Sequence, residues 1–68
     1  MILPSSKWVA KATGYVHGVY FSKGDVITIE SIIIGEYDAK VTFNHNSNRL
    51  TIDAMFFRKK FERVKNNG

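Results

Sequence analysis

Apolar and polar side chains alternate along several short stretches of this chain, with the period of a β-strand that buries one face. The alternation occurs in residues 7–12, 25–34 and 37–44, and Leu50 and Ile52 continue the same phase. The chain is therefore expected to be all-β. The positions predicted to face inward are Trp8, Ala10, Ala12, Ile27, Ile29, Tyr37, Ala39, Val41 and Phe43.

Breaks in the alternation predict bends and turns. The apolar order changes at Ser31 and Ile32, which favours a β-bulge that curls the sheet. Residues 45–48 read His-Asn-Ser-Asn, residue types that tolerate left-handed backbone angles, so we expect the tip of a hairpin there. Residues 13–23 mix glycines with aromatic side chains, and we expect a long irregular loop anchored by those aromatics.

A short helical turn is predicted near the C-terminus. Asp53 is a suitable N-cap, because its carboxylate can accept hydrogen bonds from the free N–H groups of a turn over residues 54–60. Phe57 and Phe61 are four residues apart and lie on one side of that turn, where they would close the core. Residues 62–65 are expected to form a last short strand.

Length and composition predict one small domain. The 68 residues suffice for a single domain, and residues 66–68 read as a frayed tail. The chain has no cysteine, and its first residues do not have the apolar run of a signal peptide. A cytoplasmic protein with no membrane partner is therefore expected.

The order of elements resembles the SH3-like small β-barrel. The resemblance is carried by residues 23–29 (KGDVITI), the hairpin of residues 40–53 and residues 57–64 (FRKKFERV), and it spans residues 7–65. It implies a five-stranded closed barrel with a short helical turn before the last strand, a fold that serves in peptide binding, nucleic-acid binding and assembly. In its abundance of Ile, Lys, Asn and Phe, the chain also resembles short accessory proteins of phages and bacteria.

Binding of proline-rich peptides is not expected. The SH3 domains that bind such peptides have an acidic first loop and paired tryptophans. Here residues 13–23 contain no acid, and Trp8 is the only tryptophan.

Catalysis, metal binding and cofactors are not expected either. A nucleophile needs a base within reach, and the two histidines, His17 and His45, stand in no recognisable motif. Neither has a second metal ligand at helical or hairpin spacing. We interpret both as loop residues and the protein as a non-enzyme.

The charge favours an anionic partner. The formal net charge is +4 and the sequence pI is about 9.6. We predict nucleic-acid binding, with cations on phosphates and ring side chains stacked on unpaired bases, although the cations could serve solubility alone. The candidate residues are Lys7, Lys11, Arg58, Lys59, Lys60, Arg63 and Lys65 for phosphates, and Tyr15 and His17 for bases.

Protein binding is the alternative hypothesis. Met55 and Phe56 lie on the predicted helical turn, away from Phe57 and Phe61, and an exposed Met-Phe pair would be a recognition patch. A phage-encoded module that inhibits or redirects a host protein would have these properties. An open sheet edge could also make a symmetric pair, so the chain is expected to be a monomer or a weak homodimer.

Overall fold

The computed structural model describes residues 2–65, and these residues are mostly β-strand with one helix. The predicted frayed tail at residues 66–68 lies outside the described residues. The strands are β1 (Lys7–Ala10), β2 (Gly14–Val16), β3 (Val19–Phe21), β4 (Val26–Ile34), β5 (Ala39–His45), β6 (Asn48–Asp53) and β7 (Phe61–Arg63), and the helix is α1 (Ala54–Lys60).

Five strands form one antiparallel sheet in the order β6-β5-β4-β1-β7. The number of strands in this sheet is the predicted one. The sheet is open, so the prediction of a closed barrel is wrong for the described chain. β6 and β7 are the two edges and do not pair with each other. Helix α1 joins them, and its Phe57 side chain is fully buried in the core.

The segment of residues 13–23 is a second, two-stranded sheet rather than an irregular loop. β2 pairs with β3, and Val16 and Val19 flank a two-residue turn of His17 and Gly18. Both turn residues have positive φ, 49° and 79°, the combination found in type I′ hairpin turns. The glycine that suggested a loop is therefore the residue that makes a tight hairpin possible.

The bulge and the second hairpin are confirmed. The β4–β5 register shifts between Ile29 and Ser31, which is where the apolar alternation breaks. β5 and β6 pair without interruption up to His45 and Asn48, around a two-residue turn. Asn46 and Ser47 in that turn have φ of 49° and 67°.

The helix cap is confirmed as well. Oδ2 of Asp53 accepts hydrogen bonds from the backbone N–H groups of Met55 and Phe56, at 3.0 and 3.2 Å. The helix ends at Lys60, and β7 begins at once with Phe61. The last strand therefore starts one residue earlier than predicted and ends at Arg63, because Phe61 pairs with Ala10 of β1.

A cluster of four phenylalanine side chains fills the core. Phe57 and Phe61 stack with 4.8 Å between ring centroids, and both rings contact Phe43 at 5.6 Å. Phe21 of β3 packs edge-on against Phe61 at 5.2 Å, which attaches the small hairpin to the main sheet. All four rings are buried, as predicted for Phe57 and Phe61.

Three positions differ from the predicted inward pattern. Ala12 and Tyr37 are exposed, because β1 ends at Ala10 and β5 begins at Ala39, so neither residue lies in a strand. Thr42 lies between the inward positions Val41 and Phe43, so alternation predicts that it faces outward, yet it is buried. Its hydroxyl is 2.9 Å from that of Thr51 on β6, and this hydrogen bond permits the burial of a polar group.

Candidate nucleic-acid interface

A cleft of about 140 Å³ opens between the β2–β3 hairpin and the end of α1. Its floor is apolar and includes Ala10, Val16, Phe21 and Phe61. Four of the nine residues predicted to bind nucleic acid line this cleft. They are Lys11 and Tyr15 from the chain on either side of the start of β2, and Lys59 and Lys60 from the last turn of α1.

Backbone geometry fixes the three lysines around the cleft. The N–H of Lys11 donates to the carbonyl oxygen of Lys60, with 3.0 Å between N and O. Lys59 and Lys60 lie in the last helical turn, where cations interact favourably with the helix dipole. The Cα positions of the three lysines are therefore fixed by the end of β1 and the end of α1, which this backbone hydrogen bond joins.

The cleft carries uncompensated positive charge. Its described lining includes no Asp or Glu. The ion pairs among the described residues join Lys40 to Asp38 and Arg49 to Glu30, and neither these pairs nor the contact of His45 with Asp25 involves a cleft lysine. Because Lys11, Lys59 and Lys60 are exposed, they can reach an anion without first breaking an ion pair within residues 2–65.

Phe56 links the cleft to the turn of the small hairpin. The ammonium nitrogen of Lys60 lies 5.6 Å from the centroid of the Phe56 ring, a cation–π distance. His17, which is exposed in the turn of the small hairpin, has its ring centroid 5.8 Å from that of Phe56. Phe56 is half-buried and packs against the core, whereas its neighbour Met55 is 74% exposed. The two members of the predicted Met-Phe patch therefore differ in accessibility.

Two exposed tyrosines face each other on the small hairpin. Tyr15 and Tyr20 are directly opposite each other on β2 and β3, and their rings meet edge to face at 5.4 Å. Tyr15 is 72% exposed and Tyr20 is 48% exposed. Their contact holds the Tyr15 ring in place while leaving most of its surface open.

The other predicted cations lie elsewhere. Lys7 and Arg63 line a separate depression beside Ser5 and Ser6, on the pairing of β1 with β7. Arg58 borders an apolar groove that contains Ile2 and Ile34. Lys65 is exposed at the end of the described chain. The basic residues near the C-terminus are therefore divided among several surfaces. The cleft has more of the predicted cations than either of the other two depressions, and an exposed tyrosine also lines it.

Sequence reasoning missed one contact that holds the region together. The ring of His45 stacks on Phe21 with 4.0 Å between centroids, and its Nε2 is 3.4 Å from Oδ2 of Asp25. The same oxygen of Asp25 accepts from the backbone N–H of Ser22 at 2.9 Å. These contacts join the end of β5 to β3 and to the turn between β3 and β4, and no local sequence pattern signals them.

The described residues contain no group of three or more His, Cys, Asp or Glu side chains arranged to hold a metal ion. Across the same residues, no helix has the length and apolar character needed to cross a membrane. No family model, curated protein or solved structure matches this chain.

Proposed function

We propose that this protein is a non-catalytic binding module that engages nucleic acid through the cleft between the small hairpin and α1. The observation that carries the proposal is the combination around one opening of three exposed lysines, no described acidic group and an exposed tyrosine. Lys11, Lys59 and Lys60 would contact phosphates, and Tyr15 would stack on a base. The cleft thus contains three of the seven cations that the sequence predicted to contact phosphates.

The physical case favours an unpaired strand. Cations that neutralise phosphates release condensed counterions, which drives binding at low salt. A base that is not paired can lie on an aromatic ring, and this stacking contributes about 1–3 kcal/mol per base. The bases of a duplex are stacked on each other, so their faces are not accessible to Tyr15. We therefore expect this small cleft to bind a single-stranded segment in preference to a duplex.

The fold is consistent with such a role. The strand order β6-β5-β4-β1-β7, with a hairpin between β1 and β4 and a helix before β7, supports an SH3-like architecture whose β6–β7 seam is open. In this architecture the small hairpin stands beside the main sheet and is free to form one wall of a binding surface.

The test is fluorescence anisotropy with labelled single-stranded and duplex oligonucleotides, using two charge-reversed variants. Lys59→Glu with Lys60→Glu reverses two of the three cleft cations, whereas Lys7→Glu with Arg63→Glu alters the separate β1–β7 depression by the same net charge. We expect the first pair to weaken single-strand binding at least tenfold and the second to weaken it much less. Equal losses would show general electrostatic attraction and would reject the cleft as the site.

Protein binding remains the second candidate, and the exposure of Met55 favours it. In this alternative, a host protein would cover the outer face of α1. Purified chain with Met55→Asp would then lose a partner that the Lys59→Glu, Lys60→Glu variant retains, as measured by pull-down from nuclease-treated bacterial lysate. Capture that depends on the lysines instead of Met55 would exclude this surface.

A further inference from the structure

We propose that β6 pairs with β6 of a second copy of this chain, antiparallel and centred on Thr51, so that one sheet runs through a symmetric dimer. The cleft includes no residue of β6, so this surface is separate from the proposed nucleic-acid site.

β6 is the edge of the sheet that is suited to pairing. It has six residues and an unbroken register with β5, whereas the other edge, β7, has three residues. Natural sheets protect their edges with charged side chains, above all lysine, and with proline, bulges or short strands. β6 reads NRLTID and has neither proline nor lysine, its two charged residues are of opposite sign, and it pairs with β5 without a bulge. A strand of this kind is a template for another chain.

The hairpin register determines which backbone groups of β6 are free to pair. In a two-residue hairpin the pair beside the turn, His45 and Asn48, exchanges both backbone hydrogen bonds, and bonded pairs then alternate along the strands. Leu50 and Ile52 therefore bond to β5. The N–H and C=O groups of Arg49 and Thr51 and the N–H of Asp53 point off the open edge, whereas the C=O of Asp53, the N-cap of α1, accepts the first hydrogen bond of the helix.

A side-chain contact supports this assignment independently. Pairs without backbone hydrogen bonds have the closer Cα atoms and side chains. Thr51 lies opposite Thr42, and their hydroxyl oxygens are 2.9 Å apart. Thr51 is therefore in such a pair with β5, as the alternation requires, and its own backbone groups face outward.

Charge complementarity selects one register for a second copy. When Thr51 meets Thr51, Arg49 lies opposite Asp53 of the second copy at both ends of the strand pair. A pairing centred on Arg49 or on Asp53 would place like charges face to face, which is destabilising. In the register centred on Thr51, the two Thr51 residues would exchange both backbone hydrogen bonds, and the N–H of Asp53 would donate to the C=O of Arg49 of the second copy at each end.

Both charged side chains are able to make this contact. Arg49 is 64% exposed at its side chain, and its present partner, Glu30, lies on the outer face of β4 at 3.0 Å. Asp53 uses Oδ2 for the helix cap, and no described hydrogen bond uses its Oδ1. In the dimer, Arg49 would lie between Glu30 and Asp53 of the second copy, without loss of the cap.

The first test is the molar mass in sedimentation equilibrium from about 10 µM to about 1 mM, since so small an interface belongs to the weak class. We expect the mass to rise from 7.8 kDa towards twice that value. Thr51→Lys sets two ammonium groups opposite each other at the dyad and should weaken association more than tenfold. Thr51→Val, a matched β-branched control, should associate within about threefold of the parent.

Two results would overturn the proposal. A parent chain that stays at 7.8 kDa over the whole range would exclude the dimer. A Thr51→Lys variant that is folded by circular dichroism and associates as the parent does would exclude β6 as the interface.

The second test examines the register, and it uses the absence of cysteine in the chain. In the proposed dimer the two Cα atoms at position 51 are about 5.5 Å apart, within the range of a disulfide. The two copies of position 49 are separated by four residues along the strand, or about 14 Å. Thr51→Cys should therefore form a disulfide dimer at least tenfold faster than Arg49→Cys under the same oxidant, and equal rates would contradict this register.

Discussion

The two hairpins of this protein have the same turn and opposite roles. Both β2–β3 and β5–β6 close around two residues with positive φ. In β5–β6 the inward side chains of both strands lie in the core, including Val41, Phe43, Leu50 and Ile52. In β2–β3 one residue of each strand is buried, and the facing tyrosine pair is turned outward.

The difference shows how a very small domain can obtain a binding surface without weakening its core. An isolated two-stranded hairpin is marginal in water, so β2–β3 depends on the packing of Val16 and Phe21 against the main sheet. Its tyrosines contribute little to that packing and remain available for a ligand. The β5–β6 hairpin instead supplies the surface against which Phe57 and Phe61 pack.

The largest expected effect comes from truncating an aromatic side chain in each hairpin. Phe43→Ala removes a fully buried ring that contacts three others, and it should lower the free energy of unfolding by about 3–5 kcal/mol. Tyr20→Ala, in the small hairpin, should lower it by about 1 kcal/mol, the scale of one edge-to-face pair. Urea unfolding followed by tryptophan fluorescence measures both, and similar losses would remove the distinction between the hairpins.

The next effect concerns binding rather than stability. Tyr15→Ala should weaken binding of a single-stranded oligonucleotide by about 1–3 kcal/mol, because one stacked base would lose its ring. Tyr37→Ala is the matched control, since Tyr37 is 92% exposed and does not line the cleft. Anisotropy titrations should show no change for Tyr37→Ala. An equal loss from both variants would mean that the exposed tyrosines act nonspecifically.

The smallest effect tests the turn of the small hairpin. Gly18 has φ of +79°, a conformation that costs an L-residue about 1–2 kcal/mol. Gly14, in the same hairpin, does not have a positive φ of this kind. Neither position has a heavy atom within 4 Å of an added Cβ. Gly18→Ala should therefore lower the unfolding free energy by about 1 kcal/mol, and Gly14→Ala should leave it unchanged or slightly raised. Thermal melting distinguishes the two, and an equally destabilising Gly14→Ala would show that φ is not the cause.

Local signals were sufficient for the main sheet. The alternation around Ile27 and Ile29, the bulge at Ser31 and the cap at Asp53 each follow from neighbouring residues, so the sequence predicted them. The small hairpin was missed because its turn has His17 rather than the Asn or Asp that usually precedes glycine in a type I′ turn. Closure of the sheet was wrongly expected because it depends on how two distant edges meet, which no local pattern encodes.

The site was predicted in composition but not in arrangement. The run of basic residues at 58–60 is continuous in sequence, yet the helix turns Arg58 towards the apolar groove and Lys59 and Lys60 towards the cleft. Lys11 joins them through a backbone hydrogen bond to Lys60 that forms only in the folded chain. Side-chain type is a local property, whereas grouping on a surface is set by tertiary contacts.

The salt dependence of affinity tests most directly whether the cleft lysines bind the phosphates of a nucleic acid. If Lys11, Lys59 and Lys60 neutralise three phosphates of a single strand, log affinity should fall with log salt at a slope of about −2. In the Lys59→Glu, Lys60→Glu variant the slope should become much shallower. A parent slope near zero, or a slope that these substitutions leave unchanged, would contradict the account.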